Sequence, residues 1–286
     1  MKHPVIAALS AYILWGIFPI FWKLLDNHSA GEILSHRIIW SLVIFAGIFY
    51  FKFQNFKVFL QLSKGTVFKI LVAGVLLSIN WLTYIYAVNS GHVIEGSLAY
   101  FITPLLNVAM GIFMFKERIN IFALTAFLLS LVAVGRMIFM EHEWPVFALI
   151  MAVTFSSYGM IKKMIQVSPI VSVTLESFFV FPIALIGAFY FRIHSPAPMP
   201  MIDLVYFIIG GIITALPIFW FSLAVQKVSL NVMGFMQFIS PTIQFLLAVY
   251  LYNEPFTEIR KYSFAMIWVA IAIFLIGQIP MAKKTN

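Results

Sequence analysis

The stretch Tyr100-Phe101-Ile102-Thr103-Pro104, running on to Glu117, is written twice in this chain, returning as Gln237-Phe238-Ile239-Ser240-Pro241 running on to Glu254. The interval from Pro104 to Pro241 equals that from Glu117 to Glu254, 137 residues, so the copies align without a gap. Between these anchors the exchanges are conservative, as in Thr103/Ser240, Leu106/Ile243, Asn107/Gln244 and Phe113/Tyr250. Self-similarity of this length marks one module of about 140 residues used twice in 286, and the fold has to be assembled from two copies of one unit.

Hydropathy decides what kind of unit. Residues are 63% hydrophobic and only 10% charged, with a mean hydropathy of +1.01; an average soluble domain is roughly 45–50% apolar and about 25% charged. Apolar runs of about 20 residues recur from end to end, each long enough to cross about 30 Å of hydrocarbon as a helix. Ten spans are expected: Pro4–Leu25, Ile33–Phe51, Phe68–Val88, Ile94–Phe115, Ile121–Met140, Trp144–Ile161, Pro169–Phe191, Leu204–Val225, Val232–Tyr252 and Tyr262–Ile279. The run from Pro4 is too long for a signal-peptide core and is read as a retained first span. The fold class is therefore an all-α membrane protein of ten transmembrane helices. Its two units are residues 4–140 and 144–280, five spans each. An odd number of spans makes the second unit enter the membrane from the opposite side, so the repeats are inverted, an architecture shared by many secondary transporters.

Lys and Arg cluster in the connectors, which explains the net charge of +8 by topology rather than by nucleic-acid binding. With the N-terminus inside, twelve of the eighteen basic residues fall on the inner side, Lys116, Arg118, Lys162 and Lys163 among them. Five fall outside (Lys23, Arg136, Arg192, Arg260, Lys261), and Arg37 lies within a span. Both termini are expected to be cytoplasmic. The absence of cysteine excludes disulfides and thiolate chemistry. Histidine spacing offers no metal motif, and no P-loop, G-x-G-x-x-G or G-x-S-x-G occurs, so neither an enzyme, a cofactor nor a metal site is expected.

A charge at the centre of a lipid-embedded helix costs about 2.5–3.5 kcal/mol on insertion scales, so polar residues within the spans are where function is sought. They are His36, Arg37, Asn80, Asn89, Glu95, Asn107, Glu176, Gln237 and Gln244, with Trp81 and Tyr100 as neighbouring aromatics that would enclose a ligand. Glu176 has no cation within one turn of its own helix. It is read either as a substrate-amine or proton site, or as one half of a salt bridge to His36 or Arg37. Glu95 opens its span, where a carboxylate caps the helix dipole or faces the cavity. Glu117 and Glu254 sit at the unfavourable ends of their helices and need specific partners, Arg118 and Arg260 being the neighbours at hand. Pro104 and Pro241 are expected to kink their helices, with Thr103 and Ser240 re-satisfying the freed carbonyls.

Two five-helix halves, each closing on Pro and then Glu thirteen residues later, resemble the EamA modules of the drug/metabolite transporter superfamily. Leu14-Trp15-Gly16, Glu32-Ile33-Leu34-Ser35-His36-Arg37, Asn80-Trp81, Asn89-Ser90-Gly91-His92-Val93-Ile94-Glu95 and Gly234-Phe235-Met236-Gln237-Phe238-Ile239-Ser240-Pro241 are similar to the RarD subgroup. The resemblance implies a multi-pass bacterial inner-membrane transporter, an exporter or permease of small metabolites or drugs working by alternating access. Its midplane site would be floored by His36, Arg37, Glu95 and Glu176, its partners the lipid bilayer, a small-molecule substrate and protons as a candidate coupling ion. The rival expectation is a membrane-embedded sensor or scaffold whose buried polar groups only lock helices together.

Overall fold

In the computed structural model the described residues are 3–25, 27–53, 56–89, 93–140, 146–194, 199–252 and 258–282, and they form helices joined by short connectors. The long ones are α1 (Pro4–Trp22), α2 (Ala30–Phe53), α4 (Lys64–Asn89), α5 (Val93–Phe115), α6 (Ile121–Met140), α7 (Val146–Met164), α8 (Pro169–Ile193), α9 (Met201–Val225) and α12 (Glu258–Ala282). A short helix α3 (Lys57–Leu60) lies in the connector before α4. The ninth span is broken into α10 (Leu230–Gln237), α11 (Ile239–Leu246) and a π-helical turn over Leu247–Leu251. Among the described residues nine segments are long and apolar enough to cross a membrane, and α12 contributes the shorter apolar stretch Lys261–Gly277. The chain is thus a multi-pass, all-α membrane protein with room for ten spans.

Local chemistry sets where the helices begin. Pro4 and Pro169 occupy first-turn positions, where a missing N–H is harmless. The Ser29 hydroxyl accepts from the Glu32 amide at 3.2 Å, and Asn120 Oδ1 accepts from the Ala123 amide at 2.8 Å, satisfying donors that open α2 and α6.

Packing depends on small residues, because lipid supplies no hydrophobic drive between helices and association relies on close backbone approach. Ala7, Ala8 and Ala11 are fully buried on α1, and Ala123, Ala126 and Ala133 line the buried side of α6. A Cβ on Gly74 would stand 3.0 Å from the Glu176 carbonyl, so this glycine sets the closeness of α4 and α8.

The helix pairings have a regular plan: α2 packs on α8, α5 on α10, and α6 on α12, while α4 meets α7 as α1 meets α9, and α4 meets α8 as α2 meets α9. Exchanging the first five spans for the last five maps this set of contacts onto itself. Trp15 and Phe155, equivalent positions of the two halves, meet edge-on at 5.6 Å beside Phe221.

The two prolines behave differently. Pro104 sits inside an uninterrupted α5, whereas the helix carrying Pro241 breaks at Phe238. Thr103 Oγ1 donates back to the Ala99 carbonyl at 2.7 Å, but Ser240 Oγ donates to Tyr12 O on α1 at 2.7 Å. Pro104 frees the Tyr100 carbonyl and Pro241 that of Gln237, so the expectation is corrected for both hydroxyls: Thr103 bonds Ala99 O instead, and Ser240 ties its helix to α1.

Candidate functional site

Arg37 lies about two turns into α2. Its Nε donates to Thr214 Oγ1 on α9 at 3.0 Å, and its Cζ stands 4.7 Å and 4.6 Å from the ring centroids of Trp22 and Trp81. Tyr84 and Tyr100, with ring centroids 6.3 Å apart, lie within electrostatic range of the guanidinium. Among the described residues no carboxylate comes within ion-pair distance of it. Aromatic faces stabilise a cation through their quadrupoles, by up to about 2 kcal/mol when water is excluded, but they carry no compensating charge. The half-buried Arg37 is thus a cation inside the membrane-spanning region that no described carboxylate neutralises.

Glu176 has the opposite arrangement. Lys162 Nζ of α7 donates to its Oε1 at 2.5 Å and to Ser172 Oγ at 2.7 Å; Ser172 Oγ donates to Oε1 at 2.6 Å and Tyr158 OH to Oε2 at 3.2 Å. Lys162 is 0% and Glu176 3% exposed. The expected salt bridge from Glu176 to His36 or Arg37 is corrected, since the cation comes from the preceding helix, fourteen residues back in sequence. Lys162 is accordingly not a connector charge, and the positive bias counted for the inner side is one smaller.

Beside Glu176 lies a narrow cavity lined by Ile38, Ser41, Ser78, Trp81, Glu176 and Ile218, among others. Trp81 belongs both to its wall and to the surroundings of Arg37. In this conformation the cavity admits little more than a water-sized molecule, so anything larger needs its walls to part.

The remaining candidates are spread out. His36 stacks on Phe207 at 4.1 Å with its Nδ1 buried and unpartnered, away from Glu176. Asn80 donates to Met151 O at 2.7 Å and to Thr154 Oγ1 at 3.3 Å, joining α4 to α7. Asn107 donates to Gln237 Oε1 at 2.7 Å, joining α5 to α10, and Gln244 donates to Trp15 O at 3.2 Å. The side chains of Asn89 and Glu95, together with His92 and Glu254, lie outside the described residues. Of the expected floor of His36, Arg37, Glu95 and Glu176, helix packing puts His36 against Phe207 and closes Glu176 onto Lys162, while the Glu95 side chain lies outside the described residues.

Two further clusters tie the ends of the helices. Lys116 adopts a left-handed φ of 52° after α5, and the Glu117 amide donates to Gly111 O at 3.0 Å, turning the chain back on itself. Glu117 then accepts from the Leu230 and Asn231 amides at 2.7 and 2.9 Å and lies 3.4 Å from Lys163. Arg118 is not the partner; the carboxylate caps the favourable end of a different helix, α10. A Cβ on Gly111 would fall 2.5 Å from Glu117 Oε2 and 3.1 Å from the Asn231 amide nitrogen, so glycine there leaves room for the carboxylate to seat on α10.

At the other end of α9, His28 Nδ1 meets Glu32 Oε2 at 3.0 Å and Nε2 meets Asp203 Oδ2 at 2.9 Å. Burial opposes protonation of His28, but the hydrogen bonds and charges of Asp203 and Glu32 outweigh it and raise its pKa above the ordinary histidine value. Sequence inspection missed this triad because its members lie up to 175 residues apart; its one local signal is the four-residue spacing of His28 and Glu32, one helical turn.

A ten-span plan of exchangeable halves around a charged, aromatic-lined centre defines a membrane-transporter class of fold. The chain belongs to the EamA-like transporter family, whose model matches it twice, over residues 3–139 and 142–276. It is 36% identical to the uncharacterized transporter YojE of Bacillus subtilis over 100% of this chain and 97% of that protein. It is 35% identical to Protein RarD of Escherichia coli over 100% of this chain and 98% of that protein. A solved crystal structure shares the fold, with a TM-score of 0.74 at 14% identity over 96% of this chain and 97% of its own.

Proposed function

We propose that the chain is a non-enzymatic secondary transporter that moves a small metabolite or drug across the bacterial inner membrane by alternating access, with both termini cytoplasmic. Residues 4–140 and 144–280 act as two inverted modules that rock about a central site; the twofold family match and the exchangeable helix pairings support this division. The observation that carries the reading is Arg37. An unneutralised cation in a membrane span is retained at a cost, and a charged ligand that completes it is the simplest return. The narrow cavity that shares Trp81 with it is the closed state of the same site.

The natural absence of cysteine makes a direct test available. Ser41→Cys and Ser78→Cys place single thiols on the cavity wall, to be probed with a membrane-impermeant maleimide from each side of the membrane. Alternating access exposes each thiol from both sides in turn. Labelling from neither side would leave the rival sensor or scaffold reading.

A further inference from the structure

We infer that the molecule carried is a monocarboxylate with an apolar body and without an amine. The inference rests on the transport reading and deepens it, and it comes from charge accounting at Arg37 and in the cavity on whose wall its neighbour Trp81 stands. Arg37 offers one positive charge with no carboxylate near it among the described residues, and a guanidinium presents a planar fork that matches a carboxylate in two parallel hydrogen bonds. One negative charge neutralises it; a phosphate dianion would leave a second charge stranded in low dielectric.

An amine would need a free carboxylate on the cavity wall, and the one described there is occupied. Glu176 already receives Lys162, Ser172 and Tyr158, so its charge and acceptor sites are met from within the protein. Admitting an ammonium would require breaking the buried pair and stranding Lys162. A cationic substrate would in addition approach Arg37 against its charge. The rest of the wall is Ile38, Leu77, Val180, Ile218 and the Trp81 ring, softened by Ser41 and Ser78 hydroxyls, which suits a hydrocarbon body.

Full-length protein purified in detergent is titrated with four compounds of one skeleton: 3-phenylpropanoate, phenylalanine, 3-phenylpropylamine and 3-phenylpropyl phosphate, reading the melting temperature. The expected result is stabilisation by 3-phenylpropanoate at concentrations at least roughly tenfold below the other three. Arg37→Lys should bind it roughly tenfold more weakly and Arg37→Gln should lose it, because the fork and then the charge are removed. Should Arg37→Gln fail to fold, Thr214→Val, which only frees Nε, is expected to weaken binding several-fold. A preference for phenylalanine, the amine or the phosphate overturns the inference, as does a panel with no shift or an undiminished shift in the Arg37 variants. Counterflow of labelled 3-phenylpropanoate in liposomes separates the two readings. Binding without counterflow removes the transporter reading and leaves the anion site, whereas counterflow that ignores the carboxylate removes the substrate class and leaves the transporter.

Discussion

Arg37 and Glu176 are both charges that the chain places inside apolar helices, yet the fold treats them in opposite ways. Glu176 is closed: a lysine, a serine and a tyrosine converge on its two oxygens, and the pair is neutral and buried. Arg37 is open: a threonine hydroxyl and two indole faces hold its geometry, and no described carboxylate cancels its charge. Buried ion pairs are costly to break and often replaceable, so a closed pair speaks for structure. An unpaired cation is costly to keep and gives no structural return of its own, so it speaks for a ligand. The difference separates a helix lock from a binding site without appeal to either residue's type.

The contrast is broken most directly at Glu176. Glu176→Gln strands Lys162 and is expected to destabilise the protein by about 3–5 kcal/mol, read as a lower unfolding midpoint in detergent. Adding Lys162→Met in the same chain should recover most of that loss; if the double variant is as unstable as the single, the pair is not a closed unit. A smaller effect, about 1–2 kcal/mol, is expected for Glu117→Gln, which weakens two charge-assisted caps on α10 and the contact to Lys163.

His28 tests a third, titratable lock. Its raised folded pKa means that the triad's contribution is fully present below the unfolded histidine value of about 6.5 and is lost as pH rises through the folded value. Wild type should therefore exceed His28→Gln in melting temperature at pH 6, and the gap should close at alkaline pH; a gap independent of pH would remove the charge from the explanation. The smallest stability change is expected at Arg37→Gln, within about 1 kcal/mol, because no described ion pair is lost, while binding falls away. A loss as large as that of Glu176→Gln would erase the distinction drawn between the two sites.

Much of the architecture was legible without coordinates. Apolar runs located the spans to within a turn, and the duplicated Pro-to-Glu segment announced the paired halves that the twofold family match shares. Arg37 and Trp81 were picked out as site residues by their mere presence in a span, and they do meet. What stayed hidden was partnership. Lys162 resembles a connector charge because it follows an apolar run, and nothing local distinguishes it from Lys163 beside it; the roughly 100° between successive residues on α7 sends the first to Glu176 and the second to Glu117. His28 and Asp203 meet only because α2 and α9 pack together.

The sequence by itself determined that this chain lives in a membrane, how many times it crosses, and that it is one unit repeated, because hydropathy and self-similarity are properties of the string and need no contact to be read. Only the tertiary structure decided which buried charges are satisfied. Neutralisation acts over a few ångströms between groups on different helices, fourteen residues apart for Lys162 and Glu176 and 175 for His28 and Asp203, and that distance is set by the small residues at the helix faces rather than by the charges themselves.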